Sequence, residues 1–378
     1  MAVYKLFPYK DASIYSYYPN MNSGMDAISE IYNTITLEGT PDISRFLTQF
    51  DSTEILDVID NKINGASWDV YFNSFIASAQ GISSDYVVEV WPVAQNWNNG
   101  TGEFLDVPQT MDGISWNYSN YSGSGAWSMA GSVGTELFTG SYNASYSTQG
   151  GGNWFYSGSG VASYRVTQSF GLRSDKDLNV EVKTIVSKWY DGSLPNYGFI
   201  TKWEDSVEFT NNQYVQPVLK YYSVDTNTIY PPQLEFRWRD YSTVLTGSLA
   251  NNILTTTNIK LALNENPGVY YLDSVNRFLI NSSPLYPPRT FQTSSYFTDL
   301  YFLPTSSYYA VKDLDTDEFV INFDTQYTQI SSDSNGNYFD IYMNGLEPER
   351  YYKILIKTII NGSTLIFDDH YYFKVVNG

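Results

Sequence analysis

SDSNGNYFDIYM, Ser332 to Met343, sets an Asn-Gly pair between two runs rich in strand-forming residues. Asn335-Gly336 tolerates the positive backbone angles of a tight hairpin turn, so this stretch predicts two antiparallel strands. Asp333, Asn335 and Asn337 imitate a calcium loop, but the turn explains them more simply. Outward from this hairpin the same texture continues, with β-rich runs at Phe319 to Phe323, Tyr351 to Ile360 and Tyr371 to Val376. It also fills the N-terminal half, at Ser13 to Tyr18, Thr34 to Leu37, Arg45 to Phe50, Asp69 to Ala77, Tyr86 to Trp91, Val161 to Phe170, Leu178 to Val186 and Gly198 to Trp203. Helical spacing is confined to Glu54 to Ile63, with a shorter candidate at Asp26 to Tyr32. Short strands between Gly, Pro, Asn and Asp punctuation predict an all-β fold of jelly-roll or sandwich type, not an α/β sheet.

The chain has 378 residues, enough for two or three domains that each bury a core without disulfides or structural metal. All nine Trp precede position 239, and Pro231-Pro232 and Pro287-Pro288 interrupt any ladder. These marks predict a first unit over residues 1–235, a middle β segment over 236–300 and a C-terminal β-sandwich over 301–378. Within the first unit, residues 117–160 hold ten of the 26 Gly and a single charged residue, Glu136. Trp127, Phe138, Trp154 and Phe155 supply apolar anchors there, so the expectation is a long loop packed on the sandwich and not a solvated linker.

Charge and composition exclude several functions. With 21 Lys and Arg against 40 Asp and Glu, the net charge is −19, which repels phosphate backbones and anionic lipid. Neither nucleic acid nor membrane is expected as a partner. No Cys is present and His370 is the only His, so thiolate sites, three-His sites and HExxH zinc sites are impossible. Nucleotide-binding glycine motifs and GxSxG are missing too, which leaves only a carboxylate pair as a route to catalysis; the expectation is a non-enzymatic protein with no cofactor. In KDLDTDEF, Asp313, Asp315 and Asp317 have calcium-loop spacing, but Glu318 stands where an EF-hand needs Gly. The negative charge still favours isolated calcium sites built from loop carbonyls and carboxylates. The opening MAVYKLFPYK has no apolar signal-peptide core, so synthesis as a cytoplasmic product is expected.

Aromatic residues make up 17% of the chain and charged residues 16%, an unusual inversion. Trp91, Trp97, Trp116, Trp127 and Trp154 flank one Asn/Gly-rich region, and are the candidate ligand-binding residues. A pyranose presents C–H faces to an indole while Asn and Asp reach its hydroxyls; the competing reading is core packing.

Three runs carry a family resemblance. SRFLTQFDSTEI (Ser44 to Ile55), WPVAQNWNNGTGEFLDVPQTMDGISW (Trp91 to Trp116) and LNVEVKTIVSKWYDGSLPNYGFITKWEDSVEF (Leu178 to Phe209) resemble, in order, the DNRLRE jelly-roll module. The matching positions are Arg45, Phe50, Asp51, Trp97, Gly100, Thr101, Gly102, Gly113, Trp116, Val186, Trp189, Gly192, Asn196 and Gly198. The opening, Met1 to Ile28, and the portion Leu303 to Thr358 are similar to virion structural proteins of tailed phages. GLEPERYYKILIKT also reads as the turn and strand of an Ig-like or fibronectin-like sandwich, with Tyr351, Ile354 and Ile356 as core candidates.

Together these resemblances imply a carbohydrate-binding-type jelly roll followed by one or two smaller sandwiches, in an accessory protein of a phage neck, tail or fibre. Its implied partners are other virion proteins (neck, portal-adaptor or tail components) and copies of itself, with host surface glycan as a further ligand. Its implied place is the virion, reached by assembly in the host cytoplasm and release by lysis.

Overall fold

The computed structural model describes residues 2–378 except 37–38, 40, 83–84, 128–134, 138–149, 209–215, 246–251, 265 and 287–299. Strand accounts for 47% of the described residues and helix for 9%, so the fold is all-β, built of antiparallel and sandwich-like sheets. Two compact units emerge: a larger one, Leu6–Lys62 with Val70–Glu235, and a smaller one, Met1–Lys5, Ile63–Asp69 and Phe236–Gly378. The smaller unit thus draws on residues on both sides of position 300. No described helix is long and apolar enough to cross a membrane.

In the larger unit one sheet holds eight strands, and Pro41–Gln49 is its branch point. Residues 41–44 pair with Ile28–Ile35, residues 46–48 with Phe199–Trp203, and the whole C-terminal half with Lys10–Tyr15. Phe199–Trp203 continues the sheet to Tyr86–Pro92 and then Val166–Phe170; beyond Ile28–Ile35 come Val218–Tyr222 and Ile76–Gln80. Strand side chains alternate between faces, so Ile43, Arg45 and Leu47 share one face of the branch strand while Phe46 turns to the other. Beneath Phe46 the second face packs Phe50, Phe72, Phe199 and Trp189 through ring contacts of 4.7–6.3 Å.

Two expectations about local structure need correction. Asp26 to Tyr32 is no helix: Ile28–Ile35 is a strand, because its Ile and Tyr pattern is satisfied by sheet pairing on both sides. Leu178 to Val186 is strand only to Glu181; Lys183–Tyr190 is a helix that buries Ile185, Val186 and Trp189, a spacing that suits one helical face. The expected helix at Glu54 is present as Ser52–Asp57, continued by a π-helical turn over Val58–Ile63. Asp51 caps it by accepting the N–H groups of Thr53 and Glu54.

The smaller unit is a β-sandwich. One sheet orders Ile259–Asn264, Val275–Pro284, Gly336–Tyr342 and Ser331–Asp333; the other orders Val269–Tyr271, Ser363–Val376, Tyr351–Ile360, Ser307–Asp313 and Phe319–Ile321. Phe278 stacks on Phe339, Phe339 on Tyr309 at 4.3 Å, and Phe373 closes against Phe278 and Tyr352. Offset stacks of this kind add to the area they bury. The Asn335-Gly336 hairpin forms, with Ser334 and Asn335 as its two loop residues, because Asp333 pairs with Gly336 and accepts the Asn335 N–H. Gly336 opens the return strand at φ +137°, a conformation side chains disfavour. Ile354 and Ile356 are in the core, but Tyr351 is half exposed. Its odd number puts it on the opposite face of a period-two strand from Tyr352 and Ile354.

Asp313, Asp315 and Asp317 form a turn and not a cation loop. Asp313 Oδ1 accepts the N–H groups of Asp315 and Thr316, and both its oxygens take the Arg350 guanidinium at 2.6 and 2.7 Å. Burial pushes the Asp313 carboxyl up, but Arg350 and the turn amides outweigh it and hold it below the usual carboxylate range. A depressed folded value contributes stability above the unfolded pKa, and that contribution disappears as pH falls through the folded value. Asp313→Asn should therefore cost about 1–3 kcal/mol at pH 7 and much less near pH 3. Urea unfolding of wild type and variant at the two pH values measures the difference; an equal gap at both would refute this cause.

Candidate functional site

The five expected tryptophans meet in one place. Trp91 and Trp154 come from Tyr86–Pro92 and Asn153–Phe155, while Trp97, Trp116 and Trp127 come from the loops between them. They pack with Ala12, Ile14, Ile43, Leu47, Val93, Ile114 and Ile200 into one cluster, and none is more than 7% exposed. The indole N–H groups are mostly spoken for: Trp91 donates to Glu89 Oε2 at 2.9 Å, Trp97 to the Tyr197 carbonyl and Trp127 to the Ser115 carbonyl. Trp154 Nε1 meets no acceptor. The rings therefore converge inside the unit, with their faces occupied by protein.

Charged groups are threaded through this aromatic cluster. Arg45 Nε and Nη2 clasp Glu208 Oε1 and Oε2 at 2.7 and 2.9 Å, both residues fully buried, and Nη1 donates to the Gly151 carbonyl. Lys202, 1% exposed, lies 3.3 Å from Glu208, 3.4 Å from Glu89 and 2.7 Å from Asp205. Glu89 in turn takes Arg165, whose outer end reaches solvent. The Arg45 guanidinium also sits 5.2 Å from the Trp116 ring and 5.3 Å from Trp154, and Lys202 lies 5.5 Å from Trp154. Period two explains the convergence. Arg45 shares its face with Ile43 and Leu47, Lys202 with Ile200 and Glu89 with Trp91, and Lys202 faces Glu89 directly in the ladder.

Burial alone would push the Lys202 ammonium down; Glu208 and Glu89 more than offset it and hold the group above its ordinary value. Each carboxylate of the cluster is engaged by at least one cation, so the arrangement neutralises itself. A general acid for glycosidic cleavage needs a carboxyl kept protonated and within reach of substrate. Glu208 is shut away from solvent and fixed by a fork-to-fork pair.

The glycine-rich stretch ends in the same knot. Gly150, Gly151 and Gly152 all have positive φ, from +79° to +131°. A Cβ on Gly151 would lie 2.9 Å from both Arg45 Nη1 and the Trp116 ring, and one on Gly152 would lie 2.6 Å from Ile200. These glycines let the backbone press onto the tryptophans, so at least this part of the stretch is packed. Of the expected anchors, Trp127 and Trp154 are buried, Phe155 is half buried and Phe138 lies outside the described residues.

Behind the tryptophans, Asn22 organises the Trp97 to Trp116 loop. It is fully buried; Nδ2 donates to the carbonyls of Asn99 and Ile114, and Oδ1 accepts from Gly24 and Gly102. Gly100 and Gly113 approach so closely that a Cβ on Gly113 would lie 2.5 Å from Gly100 Cα. Asn196 ties the later segment down through the Phe50 carbonyl and Ser52.

Glu89, Arg165, Lys202, Glu208 and Asn22 carry no signal in a one-dimensional reading. Their partners lie up to 163 residues away. His370, at φ +59° on the exposed part of Ser363–Val376, contacts Tyr372 and stands apart from the tryptophan cluster in sequence and packing. Among the described residues, no group of three or more His, Asp or Glu side chains is arranged to hold a metal ion. No family model matches the chain, and no curated protein matches it.

Proposed function

We propose that this chain is a non-enzymatic structural component of a tailed-phage particle, in the neck, tail or fibre region, assembling with other virion proteins and with copies of itself. The observation that carries this reading is the self-neutralised core of the larger unit. Arg45, Glu208, Lys202 and Glu89 spend their hydrogen-bonding capacity on one another and on tryptophan rings, which suits a rigid scaffold better than a reaction centre. The opening and closing stretches that resemble virion proteins supply the setting. A chain with 16% charged residues and 35 Tyr suits repeated contacts around a symmetric particle. Cryo-EM of intact particles tests the reading: density fitting the two units at a neck, tail or fibre position supports it, and particles whose density is fully assigned to other chains contradict it.

One observation favours a second reading, host-glycan binding. Tyr156 is 41% exposed and stacks on Trp91 at 5.4 Å with an interplanar angle of 26°. A ring held flat by a buried indole is a suitable platform for a sugar face, although the tryptophans themselves are covered. If glycan binds here, Tyr156→Ala should weaken it about tenfold, with little change in melting temperature. A titration followed by tryptophan fluorescence reads this; unchanged affinity in the variant removes the platform.

A further inference from the structure

Asp11 is the most anomalous acid among the described residues. It is 1% exposed on the strand Lys10–Tyr15, its Oδ2 accepts the Val224 N–H at 2.8 Å, and its Oδ1 has no partner at all. The residue after Val224 is Asp225, whose Oδ2 is also buried and unpartnered. The same turn is fastened to the Asp26 segment: Ser223 Oγ donates to the Asp26 carbonyl, and the Ser223 N–H donates to the Ala27 carbonyl. The charges felt by Asp11 are those of Asp225 and Asp26, both negative. A buried carboxylate without a cation is among the costliest groups a fold can hold. Burial above all pushes the Asp11 carboxyl up, to about 8, against a smaller opposing effect of the Val224 N–H.

We propose that Asp11 and Asp225, brought together by the turn at Ser223, form a site for one calcium ion, with Asp26 adding negative charge at its rim. The orphaned oxygens are hard donors of the kind calcium selects, and there is no nitrogen or sulfur donor of the sort that favours zinc. Thr48, the direct register partner of Asp11, adds a buried hydroxyl oxygen that is likewise unbonded. Two carboxylates, a hydroxyl and water are the oxygen donors of an ordinary calcium shell, whereas magnesium requires stricter octahedral placement. The ion would neutralise the cluster and join the beginning of the larger unit to the segment that follows its strand Val218–Tyr222. This is independent of the particle role and of any glycan.

The test uses the full chain stripped with EDTA. Calorimetric titration with calcium chloride should show one ion per chain, and thermal unfolding should shift upward until that site saturates. Magnesium chloride should need at least tenfold higher concentration for the same shift. Asp225→Asn, at a half-exposed turn that tolerates the change, should weaken calcium at least tenfold and leave the melting temperature in EDTA equal or higher, as like-charge repulsion is relieved. Asp11→Asn should do the same. No heat and no thermal shift with millimolar calcium would overturn the proposal, and so would a calcium effect that survives unchanged in both variants. A melting temperature insensitive to calcium but falling between pH 5 and 8 would assign the orphaned oxygens to a shared proton, which also overturns it.

Discussion

Replacing Glu208 by Ala should lower the melting temperature of the larger unit by roughly 10 °C, from a loss of about 3–5 kcal/mol. The loss comes from what is left behind. Arg45 has no solvent exposure, and without Glu208 its guanidinium would lose both carboxylate oxygens that now clasp it. Lys202, 1% exposed, would keep Glu89, Asp205 and the Trp203 carbonyl but lose a buried carboxylate. An uncompensated buried cation costs far more than the net worth of the pair that held it. The double variant Arg45→Met with Glu208→Leu should therefore recover most of the stability, since apolar side chains of similar volume fill the same space without a charge to solvate. Differential scanning calorimetry of the two single variants and the double variant reads the coupling directly. If the double variant is as unstable as the sum of the singles, the charges are not acting as one buried pair.

Gly151→Ala should be nearly as damaging, at about 2–4 kcal/mol. At φ +79° any side chain is strained, and the new Cβ would also press at 2.9 Å on Arg45 Nη1 and the Trp116 ring. Gly160 provides the control within the same stretch, because its φ is +75° but nothing lies within 4 Å of its Cβ position. Gly160→Ala should cost only the backbone strain, about 1–2 kcal/mol. The gap between the two separates crowding against the tryptophan cluster from left-handed backbone strain. Equal losses in the two variants would mean that Gly151 is not pressed on the cluster.

What could be read from the sequence was whatever depends on neighbours close along the chain. The hairpin at Asn335-Gly336 was visible because a turn needs only local residues, although the structure moves its loop one residue earlier, to Ser334-Asn335. Tyr351–Ile360 was visible as a strand from its composition, while the side it presents was not: Tyr351 faces outward because the register with Ser363–Val376 and Ser307–Asp313 buries the even-numbered residues. Leu178 to Val186 reads as strand because Val and Ile suit strands, but from Lys183 on the packing of Ile185, Val186 and Trp189 on one helical face overrides that preference. The five tryptophans were found as a group, yet their number could not say whether they open to a ligand or close on one another. What closes them is Arg45, Glu208 and Lys202, and no local pattern links residue 45 to residue 208. The same distance hides Asp11 from Asp225.

The excess of rings over charges takes a physical form here. In the larger unit tryptophans surround an internal ionic knot; in the smaller one Phe and Tyr stack between two sheets. Both arrangements bury rings against rings or charges, which suits the particle role proposed above. Quantitative mass spectrometry of purified, intact particles is the most direct test of that role. A virion protein should appear in a fixed ratio to the major capsid protein and be retained through gradient purification. Presence in the lysate with complete loss from infectious particles would rule out a particle role.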